Sequence, residues 1–226
     1  MKHIVLVGAC YLDTILEVPR FPLEDSKLRA TGLQVRRGGN CPNTLEVLLQ
    51  LLSGQDDVKP HLVSCLPNQQ SAATRKILSS FGPDAAAVEV DFRHCLYRQD
   101  HHEPASSYII RNCETGSRTI VNFNDLPEMT AEEFSTIANE IMQAGGDYWW
   151  HFEGRIPETT LQCIRHIRNV LPTCTISVEV EKPNREGLVE LAAEADVVFY
   201  SRSWAESRGY DNAEACVRGE AASTKS

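Results

Sequence analysis

The alternation of short apolar runs with amphipathic segments constrains the fold of this sequence more than any other feature. The runs have the length and aliphatic content of strands buried on both faces of a parallel sheet. Strands are predicted at residues 4–9, 61–64, 147–154, 175–181 and 196–201, and helices at 44–52, 71–81, from 130, at 157–170 and at 185–195. This order predicts an α/β fold with a mostly parallel sheet and helices on both faces.

Two segments interrupt the alternation, at about residues 13–38 and 105–124. Both alternate polar and apolar residues, and each contains a turn-rich stretch, PRFPLEDS in the first and CETGS in the second. This pattern is typical of antiparallel strands with one exposed face. We therefore predict that the two segments form a small β-lid inserted in the α/β core.

The first of these segments ends in RRGGNCPN, residues 36–43, immediately before the helical run TLEVLLQLL. Gly38 and Gly39 permit a close backbone approach. Asn40 and Asn43 place two carboxamides at a helix N-terminus, and a carboxamide both donates and accepts hydrogen bonds, which suits sugar hydroxyls. The alternative is that the glycines only make a turn and the asparagines cap the helix. The eight residues alone leave both interpretations open.

Asp13 follows the first predicted strand. Parallel sheets bind ligands at the carboxyl ends of their strands, so the Asp13 carboxylate could accept hydrogen bonds from substrate hydroxyls there. The alternative is a turn carboxylate that caps local amides. The local sequence does not decide between the two.

Composition restricts the partners. The 226 residues carry a formal charge of −9 with a pI near 5.3, which argues against nucleic acid or an anionic membrane and favours small molecules. The eight cysteines form no CxxC pair and no zinc-type spacing, so free thiols and no metal site are predicted. Because no signal peptide precedes the first strand and no apolar run could span a bilayer, we expect a cytoplasmic protein.

The order of these elements resembles the ribokinase-like, or PfkB, family of carbohydrate kinases. Four stretches carry the resemblance: VGACYLDTI, FPLEDSKLRATGLQVRRGGNCPN, SSYIIRNCETGSRTIV, and the pair WHFEGR and SVEVEKP. The resemblance implies a ribokinase-like three-layer sandwich with a small β-lid. It also implies transfer of a phosphoryl group from ATP with Mg²⁺, in the branch that phosphorylates fructose or a similar sugar.

The resemblance also implies roles for particular residues. Asp13, Gly39, Asn40 and Asn43 match the family positions that contact the sugar. Arg118 matches an arginine that contacts the phosphates of ATP, in keeping with the planar fork that guanidinium offers to phosphate oxygens.

A second group of candidates follows the strands WWHFEGR and SVEVEK. Glu153, Arg155, Glu179 and Lys182, with the neighbouring Glu181, resemble family residues near the phosphate and Mg²⁺ region. The structural alternative is a buried ion-pair network of Glu153, Arg155 and Lys182.

The resemblance extends to assembly. Asp25 resembles a lid aspartate that reaches toward the partner's site in related dimers, and a homodimer through the β-lid is the arrangement that this implies.

The sequence lacks the DTxGAGDxF stretch of the family, whose last aspartate acts as the general base and whose turn binds the transferring phosphate. No residue is therefore predicted as catalytic. Residues 1–226 are interpreted as one incomplete PfkB kinase domain without the C-terminal third. The alternatives are a non-catalytic fragment that binds sugar or modulates a dimer, a kinase of nucleosides or other sugars, and a product that does not fold stably.

Overall fold

The computed structural model describes residues 1–81 and 88–221. In chain order the strands are β1 Lys2–Val7, β2 Tyr11–Val18, β3 Gly32–Gly38, β4 Val58–Val63, β5 Cys65–Pro67, β6 Leu96–Arg98, β7 Ser106–Asn112, β8 Arg118–Phe123, β9 Asp147–Glu153, β10 Thr175–Val180 and β11 Val197–Tyr200. The helices are α1 Asn40–Leu51, α2 Ala72–Ser79, α3 Ala131–Met142, α4 Pro157–Val170, α5 Leu188–Glu194, α6 Arg202–Ser207 and α7 Ala213–Glu220.

The central sheet has five parallel strands in the order β11-β10-β9-β1-β4. The predicted strands and helices of the α/β core are all present, with shifted ends. Helix α5 begins at Leu188 rather than 185, because Asn184 and Gly187 have positive φ angles of 60° and 84° that end the preceding turn. The short parallel pair of β5 and β6 was not predicted.

One face of the central sheet is covered by α3, α4 and α5. Phe134 of α3 packs edge-on against Trp150 and lies beside Phe152, both on β9, and all three are fully buried. Thr130 begins α3 with a capping box, in which its side chain and that of Glu133 each accept a backbone hydrogen bond. This face forms the larger of two hydrophobic clusters.

The other face carries a smaller cluster beneath α1 and α2. Leu45 of α1 and Ile77 of α2 pack with Leu6 and Leu62 from the sheet, and all four are fully buried. Because successive side chains on a strand point to opposite faces, Leu6 lies on this face while its neighbours Val5 and Val7 belong to the larger cluster. Towards β9, β10 and β11 this face opens into a groove.

The two predicted lid segments form a separate four-stranded sheet in the order β3-β2-β7-β8. Strands β2 and β3 are antiparallel, as are β7 and β8, while β2 and β7 run parallel. One side of this lid sheet buries Ile15 and Ile109. We call the opposite side the outer lid face. It carries large apolar residues that are each 37–68% exposed: Leu16, Leu33, Val35, Tyr108, Val121 and Phe123.

The eight cysteines all lie in the described residues and are free thiols, as predicted. Six are buried, Cys65 is half-buried, and Cys113 is exposed in the turn between β7 and β8. Within residues 1–81 and 88–221, no helix has the length and apolar character needed to cross a bilayer.

Candidate functional site

The turn between β3 and α1 lies against the carboxyl end of β1. Gly39 has a φ of 103°, and a Cβ at this position would overlap the carbonyl oxygen of Ala9. A Cβ at Gly38 would overlap the carboxylate of Asp13. The two glycines therefore allow the turn to contact both the end of β1 and Asp13, which brings Asp13, Gly39 and Asn40 to one place.

Asn40 is the first residue of α1, and its carboxamide does not cap the helix. The N-cap residue is Gly39, which provides no side-chain hydrogen bond. Instead, Asn40 Nδ2 donates to Glu179 Oε2 at 2.9 Å and to Glu181 Oε2 at 3.2 Å. The capping interpretation of Asn40 is wrong, because Asn40 already lies inside the helix and its carboxamide is turned towards the carboxylates at the end of β10. Asn43 is exposed and lies three residues further along α1, so the two asparagines are neighbours on the helix surface.

Glu153 ends β9 beside this turn. Its Oε2 accepts a hydrogen bond from the backbone amide of Ala9 at 2.8 Å. Burial raises the pKa of Glu153 to about 7 against the lowering effect of this bond, and the charges of Glu179 and Glu181 raise it further. A carboxyl with this pKa changes protonation near neutral pH.

Arg155 and Lys182 do not form the predicted ion-pair network with Glu153. Arg155 pairs with Glu128, and its Nη1 donates to Tyr11 Oη at 3.1 Å. Lys182 pairs with the adjacent Glu181 at 2.9 Å. The network prediction is wrong, because both cations have carboxylate partners elsewhere and Glu153 is held by a backbone amide.

Arg118 lies away from the other candidates. It is exposed at the start of β8, opposite Arg111 of β7. The register places it on the same side of the lid sheet as Asp13 but four positions along the strands, about 13 Å at the usual rise per residue. Asp25 has a φ of 53° in an exposed turn of the 19–31 segment. The structure does not bring either residue to Asp13, and both roles stay predictions.

The groove on the open face of the central sheet contains polar residues that the sequence analysis missed. The groove has a volume of about 480 Å³, and its lining includes Asn40, Trp149, His151, Ser177 and Glu179. The missed residues are Trp149, His151 and Ser177, which occupy alternate positions on β9 and β10 and therefore face the same side as Glu179. That alternation was the available signal, but the runs around these residues were interpreted only as buried strand.

Known proteins resemble this chain in sequence and in fold. It is 29% identical to ketohexokinase from Mus musculus over 225 residues, which cover 96% of this chain and 70% of that protein. The chain is a ketohexokinase homologue. No family model matches it.

Solved structures share the fold. A ribokinase from Giardia lamblia has a TM-score of 0.73 with 14% identity and covers 100% of this chain and 68% of its own. A ribokinase from Arabidopsis thaliana, solved with ribose and ATP, has a TM-score of 0.70 with 17% identity. The match covers 97% of this chain and 67% of the Arabidopsis chain. The predicted ribokinase-like α/β fold and the resemblance to this family of kinases are confirmed.

The candidate site offers carboxylates at the sheet edge but no set of metal ligands. Within the described ranges, no group of three or more His, Cys, Asp or Glu side chains could hold a metal ion. Two of the candidate oxygens, Glu179 Oε2 and Glu181 Oε2, already accept from Asn40. The described residues therefore do not fit Mg²⁺ by themselves, and we assign no step to it.

Proposed function

We propose that this ketohexokinase homologue is an ATP-dependent carbohydrate kinase of the PfkB family that acts on fructose or a similar sugar, and that its described residues form the sugar-binding part. The observation that carries the proposal is the contact of the 36–43 turn with the end of β1. It gathers a carboxylate, Asp13, and a carboxamide, Asn40, where parallel sheets bind ligands. Both groups match the hydrogen-bonding capacity of sugar hydroxyls.

In this proposal Asp13 accepts hydrogen bonds from the sugar, Gly39 keeps the turn close to it, and Asn40 and Asn43 complete the contacts. Phosphoryl transfer depends mainly on positioning and on stabilising charge, so ATP would require cationic partners for its phosphates. We propose Arg118 as the cationic partner of the ATP phosphates. It would reach the nucleotide only if ATP extends along the lid sheet, because Arg118 is remote from Asp13 along the strands.

Glu153, Arg155, Glu179 and Lys182 are proposed to lie near the phosphates of MgATP. Their support is their position at the carboxyl ends of β9 and β10, close to the turn that carries Asn40. No general base is assigned, because the 226 residues contain no GAGD stretch.

The outer lid face supports a homodimer. It presents large apolar side chains on one side of a four-stranded sheet, and apolar patches of this kind often mark interfaces. In such a dimer Asp25 would reach the partner's site. A cytoplasmic location also stays a prediction.

The proposal is tested by titrating the 226-residue chain with fructose and with ATP in a calorimeter, and by assaying fructose phosphorylation with MgATP. We expect fructose to bind, and Asp13→Asn to weaken it at least tenfold, because an amide accepts fewer hydrogen bonds than a carboxylate. Asp211→Asn, a change of an exposed turn aspartate, is the matched control and should bind fructose like the unaltered chain.

The same measurements separate the alternatives. Fructose binding without turnover would favour a non-catalytic sugar-binding chain. If the chain binds and phosphorylates nucleosides or another sugar but not fructose, the protein is a kinase of that other substrate. The absence of binding by any sugar to the folded chain would contradict the proposal.

A further inference from the structure

Four side chains on the open face of the central sheet form a continuous chain of hydrogen bonds that ends on Asn40. Trp149 Nε1 donates to Ser177 Oγ at 2.8 Å, and Ser177 Oγ contacts His151 Nδ1 at 2.9 Å. His151 Nε2 lies 3.2 Å from Glu179 Oε1, and the other oxygen of Glu179 accepts from Asn40. We call this series, from Trp149 through Ser177 and His151 to Glu179, the ladder.

With a neutral His151 ring, the chemistry of the two ends fixes the direction of every bond in the ladder. The indole N–H of Trp149 can only donate, and an ionised Glu179 can only accept. His151 Nε2 must therefore carry the proton that reaches Glu179, which leaves Nδ1 of the neutral ring as an acceptor. The hydroxyl of Ser177 then accepts from Trp149 and donates to His151, so one tautomer satisfies all four groups.

The surroundings hold the ladder in place. Ser177 is fully buried, and the side chains of His151 and Glu179 are 8% and 16% exposed. The ring of Phe199 stands nearly perpendicular to that of His151, with the centroids 5.7 Å apart. Hydrogen bonds to a charged group at low exposure are stronger and more directional than those in water. Glu179 is therefore held in one orientation rather than free to rotate at the edge of the sheet.

The consequence for Asn40 is a fixed carboxamide. Its two amide hydrogens point at Glu179 and Glu181, so the flipped orientation would set its carbonyl oxygen against two carboxylates. In the described part of the chain, Asn40 Oδ1 has no hydrogen-bond partner. An amide oxygen can only accept, so it selects a ligand group that donates, such as a hydroxyl.

We propose that His151 is a positioning residue: through Glu179 it holds the Asn40 carboxamide so that only the carbonyl oxygen is offered to the substrate, which must donate a hydroxyl there. This inference rests on the proposed function, in which Asn40 contacts the sugar. It adds a specificity rule, because a sugar whose hydroxyl at that place is replaced by hydrogen or methoxy leaves the Asn40 oxygen unpaired.

The test uses two replacements of His151 in the 226-residue chain. His151→Gln keeps an N–H donor near the position of Nε2, whereas His151→Phe keeps a flat ring of similar size without any donor. The control is His166→Phe, since His166 also contacts an asparagine, Asn139 at 3.1 Å, but on α4 and α3. Thermal unfolding of each variant shows whether the fold is retained.

The first readout does not involve sugar. The two carboxamide protons of Asn40, assigned by their loss in Asn40→Leu, are followed by NMR for exchange with water. We expect slow exchange in the unaltered chain, in His151→Gln and in His166→Phe, and at least tenfold faster exchange in His151→Phe. Equal exchange in His151→Phe and the unaltered chain would overturn the inference.

The second readout is fructose binding. We expect His151→Phe to weaken binding about tenfold, a loss near 1.4 kcal/mol, and His151→Gln to restore it to within about threefold. Parallel losses of affinity and thermal stability in both variants would indicate a structural role and would also overturn the inference. If the exchange results hold but the unaltered chain binds no fructose, the ladder is supported as the device that orients Asn40 and the proposed function fails.

Discussion

The two ends of the central sheet bury ionisable groups of opposite kind. Towards the amino end, His3 Nδ1 lies 2.9 Å from Nε2 of His61, which stands in the middle of β4; both rings are buried, and the His3 ring stacks on Tyr148. Burial lowers the pKa of His61 to about 4, although Asp91 raises it. At the carboxyl end, burial raises the pKa of Glu153 to about 7. Each end favours the neutral form, but neutrality means proton loss for His61 and proton gain for Glu153.

The difference gives the two ends opposite pH dependences. The folded His61 binds a proton less readily than the unfolded chain, so its contribution to stability is complete above pH 6.5 and is lost as the pH falls towards 4. The folded Glu153 holds its proton more tightly, so its contribution is complete below pH 4.5 and is lost as the pH rises towards 7. Each effect is worth about 3 kcal/mol, and the two slopes oppose each other between pH 4.5 and 6.5.

The largest expected effect comes from a matched pair of glycine replacements, one at each end. Gly39 and Gly146 have φ angles of 103° and 105°, and a Cβ on either would overlap a backbone carbonyl, of Ala9 and of Met1 respectively. Gly39→Ala and Gly146→Ala should each lower the free energy of unfolding by about 2–5 kcal/mol, from backbone strain and overlap. Denaturant titration measures this loss.

Fructose binding then separates the two glycines. Among the molecules that remain folded, only those of Gly39→Ala should bind fructose more weakly, because only that turn carries Asn40. Equal loss of binding in both variants would contradict the assignment of the sugar site to the carboxyl end.

The next effect is expected from Glu153→Gln, which removes the charge but keeps an acceptor for the amide of Ala9. We expect it to raise the free energy of unfolding by up to about 3 kcal/mol at pH 8 and to change it little at pH 4.5. Over the range from pH 4.5 to 6.5 the variant should become more stable as the pH rises, because the contribution of His61 is no longer opposed. A variant with the same pH profile as the unaltered chain would show that Glu153 is ionised at low pH in the fold.

The smallest effect is expected from His61→Asn. Here the informative quantity is the slope of the free energy of unfolding with pH, not its absolute value. The replacement loses packing at every pH, but it removes the group that resists protonation. Between pH 4.5 and 6.5 the variant should lose stability as the pH rises, because the contribution of Glu153 is then opposed only by the smaller one of His3, whose pKa burial also lowers. Thermal unfolding at four or five pH values measures the slope, and a slope of the opposite sign would refute the assignment to His61.

The strands and helices of the core could be predicted from the sequence because they depend on local apolar patterns. The turn at Gly38 and Gly39 was also predictable, since glycine pairs mark backbone positions that side chains exclude. The hydrogen bonds of Asn40 were not, because Glu179 and Glu181 lie about 140 residues further along the chain. Arg155 shows the same limit: its carboxylate partner, Glu128, lies in a segment without strand or helix.

The single exposed thiol of Cys113 makes the lid sheet accessible to a chemical label. The other seven cysteines are buried or half-buried, so a maleimide dye at neutral pH should attach at the turn between β7 and β8 without any mutation. That turn is tied to the end of β2 by the hydrogen bond from the Cys113 amide to the Val18 carbonyl. Energy transfer from Trp149 and Trp150 to a dye at Cys113 would report on movements of the lid sheet relative to the central sheet as ligands are added.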